Sequence, residues 1–191
     1  DVVASVIAGL EQLSREPSLG AFDAQISQIE TAFANYTAKF ATVVELQRDI
    51  GLNEEEGLLG RLRGSVHNVE EALKKYNADN LTVIMLMMRR HEKDFLARLD
   101  PKYVGRIDDR LAEFGPALAA SAIPADDKAR ISDLMKSYVT DFKALSAKIL
   151  QREEELGFLS AFYAEAEPIL DDICLAIGSI ATAEKQRAEQ I

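Results

Sequence analysis

The chain has 191 residues, 48% of them apolar, and its 32 acidic and 22 basic residues give a net charge of −10 at pH 7. This apolar content is too high for a disordered chain, and the negative charge argues against general nucleic-acid binding, which depends on basic side chains that neutralise phosphates. The single cysteine, Cys174, excludes an internal disulfide and a cysteine-rich zinc site. The longest dense apolar run, residues 81–88, is far shorter than the roughly 20 residues that span a bilayer.

Apolar residues recur at alternating steps of three and four, and alternation with a period of two appears nowhere over a useful length. The pattern runs through residues 26–50, 59–76, 81–95, 104–118 and 142–180. Such steps place apolar side chains on one stripe of an α-helix, with the seven-residue repeat of left-handed helix packing. The chain is therefore predicted to be all-α.

Proline, glycine and short polar residues mark the ends of the predicted helices. Pro17 and Gly20 separate the first helix from the second. Asn80 and Asp100 are predicted N-caps, and Pro124 opens the last helix. Because the chain begins inside an amphipathic pattern, we expect it to be a segment of a longer protein. The predicted helices are 1–15, 21–77, 80–99, 101–121 and 125–190.

Two of these helices are too long for one compact bundle. At about 1.5 Å per residue, a helix over 21–77 would be about 85 Å long and one over 125–190 about 100 Å, against about 30 Å for the intervening helices. We therefore predict two helical modules, stacked end to end, that share the long helices. The upper module, about 59–150, is an up-down-up-down four-helix bundle. The lower module, about 1–50 plus 155–191, has one helix fewer.

Four glycines fall within the predicted second helix: Gly51, Gly57, Gly60 and Gly64. Because glycine costs about 1 kcal/mol relative to alanine inside a helix, four together indicate a bend, a bulge or a close backbone approach. They mark the predicted join between the modules.

Basic residues are predicted to gather near the same level of the bundle. Antiparallel pairing of neighbouring helices places His67 level with Arg90 and His91. The same pairing places Arg63 level with Asp94, and it brings Arg152 beside Gly51. The basic residues of this level are Arg61, Arg63, Arg89, Arg90, Lys93 and Arg152.

Two polar residues occupy positions that the apolar pattern assigns to the core. His91 fits three interpretations: a neutral buried histidine with one hydrogen-bonded partner, a ligand contact or a metal ligand. Arg152 interrupts a long apolar row, and an unpaired buried arginine is very costly. It must therefore meet a carboxylate, for which residues 54–56 are candidates, or reach water, or meet an anionic ligand.

Motifs that carry catalysis are missing from the sequence. There is no Gly-x-Ser-x-Gly, no phosphate-binding glycine loop and no Cys–His pair that would suit a nucleophile. The Glu-x-x-His pairs of di-iron bundles are also missing, because Gly64 and Met88 stand three residues before His67 and His91. We therefore expect a chain that is not an enzyme and that uses no metal or cofactor.

Three stretches carry a family resemblance. They are Gly51-Leu-Asn-Glu-Glu-Glu-Gly-Leu-Leu-Gly-Arg-Leu-Arg-Gly-Ser-Val-His67, Met85-Leu-Met-Met-Arg-Arg-His-Glu-Lys-Asp-Phe95 and Asp100-Pro-Lys-Tyr103. Together they resemble the helical bimodular sensor domain of bacterial methyl-accepting chemotaxis proteins. The likeness is specific between about residues 46 and 121 and is mainly helix pattern elsewhere.

The resemblance implies a periplasmic ligand-binding domain of an inner-membrane receptor, placed between two transmembrane helices outside this segment. It further implies a homodimer and a small-molecule ligand, with organic acids favoured, while a periplasmic binding protein is a further candidate partner. A carboxylate would suit an arginine, whose guanidinium forms two parallel hydrogen bonds. The candidate ligand-binding residues, chosen from their level along the helices, are Arg63, His67, Arg90, His91, Lys93 and Arg152. Two alternatives stay open: the sensor domain of a histidine kinase, and a helical scaffold that binds a protein partner and no small ligand.

Overall fold

The computed structural model describes residues 2–15 and 17–189, and this part of the chain contains helices and no strand. The predicted all-α class is confirmed. The elements, in chain order, are α1 (Val2–Ser14), a 3-10 helix (Pro17–Phe22), α2 (Asp23–Ile50), α3 (Gly57–Lys74), α4 (Asp79–Arg98), α5 (Lys102–Ala120) and α6 (Ala125–Ala188).

The boundary between α4 and α5 follows the predicted chemistry. Leu99 adopts the left-handed conformation, with φ 55°, and ends α4. The Asp100 carboxylate accepts a hydrogen bond from the backbone N–H of Lys102 at 2.9 Å, which is the bond that an N-cap makes. Asn80, in contrast, is not an N-cap: α4 begins one residue earlier, at Asp79, because Asn77 takes the left-handed turn with φ 47°.

The prediction of one continuous helix over residues 21–77 was wrong, because the chain leaves the helix between α2 and α3. Gly51 has φ 114° and Gly57 has φ 56°, conformations that L side chains rarely adopt. Between them, the Asn53 side chain accepts a hydrogen bond from the backbone N–H of Glu55 at 2.9 Å, forming an Asx turn. A Cβ at Gly60 would lie 2.2 Å from the Glu55 carbonyl oxygen. At Gly51, Gly57 and Gly60 the backbone therefore approaches another part of the chain closely, which is one of the three features predicted for this segment.

Alanine substitution should change the free energy of unfolding in opposite directions at a glycine of the turn and at a glycine inside α3. Gly51→Ala would place a Cβ 2.3 Å from the Glu56 carbonyl oxygen at a positive φ, so we expect the free energy of unfolding to fall by about 2 kcal/mol. Gly64→Ala is the matched control, because nothing lies within 4 Å of its added Cβ and the residue is helical. It should raise the free energy of unfolding by about 0.5 to 1 kcal/mol. Urea denaturation followed by circular dichroism measures both, and midpoints that move in the same direction would contradict this account of the turn.

The chain divides into two compact units: the central unit, Val44–Glu153, and the terminal unit, formed by Asp1–Val43 with Glu154–Ile191. The central unit has one continuous apolar core, to which α3, α4, α5 and the first part of α6 contribute. Phe95 of α4 packs edge-on against Phe142 of α6, with ring centroids 5.6 Å apart, and both are fully buried. Aromatic pairs in this geometry add about 0.5 to 1.5 kcal/mol beyond the area they bury.

The terminal unit has a smaller core, built around Leu10, Ile26, Ile29 and Ile173. The apolar row of α6 is buried along Phe142, Leu145 and Ile149 in the central unit. In the terminal unit the row is partly exposed, as at Leu156, Leu170 and Ile177. Besides the second part of α6, the described residues of the terminal unit form α1, the 3-10 helix and most of α2.

Candidate ligand-binding cleft

A cleft of about 310 Å³ lies in the central unit, lined by residues of α3 and α4 and of the turn before α3. On α4 the lining positions follow the steps i, i+3, i+4 and i+7, which places them on one face of the helix. The lining residues are Glu54, Leu59, Leu62, Arg63, Arg89, Glu92, Lys93 and Leu96. We call this the α3–α4 cleft.

Glu92 forms the polar floor of the cleft and is almost completely buried. Arg89 Nη1 donates to Glu92 Oε1 at 2.6 Å, and Lys93 Nζ lies 3.2 Å from the same oxygen. From α6, the Tyr138 hydroxyl donates to Glu92 Oε2 at 3.0 Å. A buried carboxylate is stable only when it is paired and hydrogen-bonded, and Glu92 meets both conditions.

Tyr138 is itself fully buried in the core. Burial, reinforced by the negative charge of Glu92, raises the pKa of the Tyr138 hydroxyl far above its ordinary value. The hydroxyl is therefore protonated at neutral pH, where it can donate its hydrogen bond to Glu92. This bond joins α4 to α6 through the core of the central unit.

Arg63 stands at the mouth of the cleft, where its Nη1 lies 2.7 Å from Glu54 Oε1. Both side chains are exposed, and exposed ion pairs contribute only about 0 to 1 kcal/mol. A carboxylate from solution can therefore replace Glu54 as the partner of Arg63 at little cost. Lys93 is also exposed, although its ammonium reaches Glu92.

The charges of the cleft suit an anion. Three cations, Arg63, Arg89 and Lys93, line it against two carboxylates, in a chain whose net charge is −10. A guanidinium has five N–H donors, and in the described part of the chain Arg89 uses only Nη1 to hold Glu92. The cleft can therefore offer unused donors from two helices to one small carboxylate.

Only two of the six candidate residues, Arg63 and Lys93, line this cleft. His67 is exposed on α3 and does not line the cleft. Arg90 is exposed and faces Asp94, with 4.0 Å between Nε and Oδ2. Asp94 pairs with Arg90 and Arg98 of its own helix, while Arg63 pairs with Glu54.

Arg152 is held within the central unit by local partners. Its Nη1 donates to Gln47 Oε1 at 2.7 Å and its Nη2 to Glu153 Oε1 at 2.6 Å. The Gln47 side chain in turn donates to the carbonyl oxygen of Gly51 at 2.9 Å, so the predicted position near Gly51 is confirmed. Its carboxylate partner is Glu153 and not one of residues 54–56. Arg152 thus serves the end of α2 and is not brought to the α3–α4 cleft.

His91 packs toward α5. Its ring stacks on Tyr103 with centroids 6.3 Å apart, and only 9% of the residue is exposed. Burial lowers the pKa of His91, and the positive charges of Arg106 and Arg110 lower it further. The imidazole is therefore neutral and buried, as the first interpretation expected. The hydrogen-bonded partner that it also expected is not found at Nδ1, which is buried and unpaired in the described part of the chain.

Because the pKa of His91 is lowered in the folded chain, the free energy of unfolding should decrease as the pH falls. As the pH falls below about 6.5, the ordinary histidine value, the unfolded chain takes up a proton that the folded chain resists. The free energy of unfolding should therefore fall with pH below this value, and His91→Gln should flatten the dependence between about pH 7 and pH 5.5. His67→Gln, on the exposed side of α3, is the matched control for the loss of a histidine. Equal slopes for His91→Gln and the unaltered chain in denaturant titrations would refute this assignment.

Two residues of the buried network, Glu92 and Tyr138, were not predicted from the sequence. Glu92 follows the core position His91, and its spacing from Arg89 by three residues was a local signal for an ion pair on one helix face. Tyr138 has no such signal, because it lies 46 positions away and reaches Glu92 only in the folded chain. Arg89 was recognised as part of a basic level, but not as a residue of the site.

The described residues, 2–15 and 17–189, contain neither a metal-binding cluster nor a helix that could span a membrane. No group of three His, Cys, Asp or Glu side chains there is arranged to hold a metal ion. No helical stretch in the same ranges combines the length and hydropathy that a bilayer crossing requires. Comparison with protein-family models, curated proteins and solved structures gives no match to the chain.

Proposed function

We propose that the chain is the ligand-binding sensor domain of a bacterial methyl-accepting chemotaxis receptor and that it binds a small organic acid without chemical conversion. The proposal includes a periplasmic location, a homodimer and the arrangement in two stacked modules with a four-helix upper bundle. The observation that carries it is the α3–α4 cleft, where Arg63, Arg89 and Lys93 meet above the buried Glu92.

A carboxylate fits this cleft for physical reasons. One oxygen can take the place of the exposed Glu54 against Arg63, while Lys93 reaches the ligand from α4. Hydrogen bonds between ionised partners are shorter and about twice as strong as neutral ones. Leu59, Leu62 and Leu96 add an apolar wall, so the ligand we expect is a short carbon chain that carries one or two carboxylates.

Binding in this cleft can move helices because the ligand would contact both α3 and α4. It favours whichever helix spacing it binds better, by no more than the difference between its two affinities. The Glu92 carboxylate pairs with Lys93 and accepts a hydrogen bond from Tyr138 of α6. A ligand that draws Lys93 away from Glu92 would therefore change the strength of the hydrogen bond between Glu92 and Tyr138. In the proposed receptor α6 would carry that change toward the membrane.

A thermal-shift screen of mono-, di- and tricarboxylates, amino acids and amines tests the function. At about 100 times its dissociation constant, a ligand adds about 2.7 kcal/mol of stability, which corresponds to roughly 5–10 °C for a chain of this size. We expect shifts for carboxylates and none for amines of the same carbon number. Shifts for amines alone would contradict the acid-sensing proposal, and a flat screen would favour a scaffold that binds a protein partner.

A further inference from the structure

A second and larger cleft, of about 490 Å³, lies within the terminal unit between α2 and α6. The residues that shape it are Asn35, Tyr36, Lys39 and Thr42 from α2 and Phe158 and Phe162 from α6. We call it the aromatic cleft. Its volume is within the range of about 300–1,000 Å³ typical of small-molecule sites.

Aromatic rings form two walls of this cleft. The rings of Tyr36 and Phe162 lie 5.1 Å apart with an interplanar angle of 41°. Tyr36 also stacks with Phe33 and Phe40 on its own helix, each at 6.3 Å, which fixes the orientation of its ring. Phe158 lines the cleft with 52% of the residue exposed. A planar ring placed against Phe158 would remove this apolar surface from water.

One ammonium group faces the same space. Lys39 Nζ lies 4.7 Å from the centroid of the Phe158 ring and 2.7 Å from Glu155 Oε2. Lys39 is the one basic residue among those that line the cleft, and Glu155 is not among them. A lysine ammonium has three N–H donors, so Lys39 can keep Glu155 and still donate to a second carboxylate.

We infer that the aromatic cleft binds an aromatic monocarboxylate of the benzoate type. The ring packs against Phe158 and the Tyr36–Phe162 pair, and the carboxylate accepts hydrogen bonds from Lys39. This site lies in a different unit and uses different residues from the α3–α4 cleft, and its ligand carries an aromatic ring in place of a short carbon chain.

Calorimetric titration of the 191-residue chain with benzoate tests the inference. We expect a dissociation constant on the order of 1 mM or tighter, in keeping with a ligand of this size. Lys39→Met, which keeps the stem and removes the charge, should weaken binding by about tenfold. Phe158→Ala should also weaken it by about tenfold, since ring stacking and apolar burial are both lost. Lys39→Arg should retain binding within about threefold.

The controls separate this site from the other cleft and from unfolding. Arg90→Ala, in the central unit, should leave benzoate binding unchanged, because Arg90 lines neither cleft. Lys39→Arg keeps the positive charge, and Phe158→Leu keeps an apolar side chain. If these two variants still bind benzoate, the losses in Lys39→Met and Phe158→Ala are not caused by misfolding. Benzyl alcohol has the ring without the charge and cyclohexanecarboxylate the charge without the aromatic ring, and each should bind about tenfold more weakly than benzoate.

Four results would overturn the inference. They are no benzoate binding at about 10 mM, equal binding of benzyl alcohol, affinities untouched by Lys39→Met and Phe158→Ala, or loss of binding in Arg90→Ala. Analytical ultracentrifugation tests whether a second copy of the chain occupies the cleft instead. If Phe158→Ala dissociated a dimer while benzoate stayed without effect, a second copy of the chain would fill the cleft instead.

Discussion

Glu92→Ala should lower the free energy of unfolding by about 3 kcal/mol. The substitution removes the shared partner of Arg89, Lys93 and Tyr138, and it leaves the fully buried Tyr138 hydroxyl without an acceptor. Glu92→Gln keeps an acceptor oxygen for Tyr138 and should lose less. Chemical denaturation at pH 7 measures these differences, and the heights of the unfolding transitions check that each variant remains folded before denaturant is added.

A surface glutamate provides the control. Glu71 pairs with Lys74 at 2.6 Å on the exposed side of α3, and Glu71→Ala should change stability little because solvent screens that pair. If Glu92→Ala cost no more than Glu71→Ala, the buried network would not be the element that joins α4 to α6. The proposed route from the cleft to α6 would then lose its physical basis.

Carboxylate affinity should fall roughly 10- to 100-fold in Arg63→Ala and in Lys93→Met, because each removes a charge-assisted hydrogen bond worth about 1.5–3 kcal/mol. The ligand for this measurement is the carboxylate with the largest thermal shift. Lys93→Met retains the apolar stem, so the change isolates the charge. Both side chains are exposed, which should limit the effect on stability.

Arg90→Ala is the matched control for charge. Arg90 lies on the same turn of α4, but 72% of its side chain is exposed and its ion-pair partner is Asp94. It does not line the cleft, so its removal should change affinity by less than about twofold at physiological salt. A loss as large as that of Lys93→Met would place the ligand elsewhere on α4.

Helix class and most helix boundaries could be predicted from the sequence because they depend on local rules. The repeat of apolar residues defines α4 and α5, and the Asp100-Pro101 pair defines the start of α5 to within a residue. The interruption after Ile50 could not be located in the same way. Glycine indicates that the backbone can deviate, but the positive φ of Gly51 and Gly57 depends on the turn they close together.

The site could be predicted only in part, because level along a helix and direction around it are separate quantities. Arg63 and Lys93 lie at a similar level and face the same side, so they line one cleft. His91 contacts Tyr103 of α5, since the core stripe of α4 is shared among several neighbouring helices. The contact between Glu92 and Tyr138 depends on tertiary packing of α4 against α6 and has no counterpart in local sequence.

The measurement that tests the central claim most directly is amide chemical-shift mapping of the isotopically labelled chain, titrated with the most stabilising carboxylate. The account predicts saturable shifts concentrated at residues 59–63 of α3 and 89–96 of α4, with smaller ones around Tyr138. Lys93→Met should abolish them at the same ligand concentration. Saturable shifts confined to other helices, or no saturable shift for any carboxylate, would show that the α3–α4 cleft is not the site of an acid sensor.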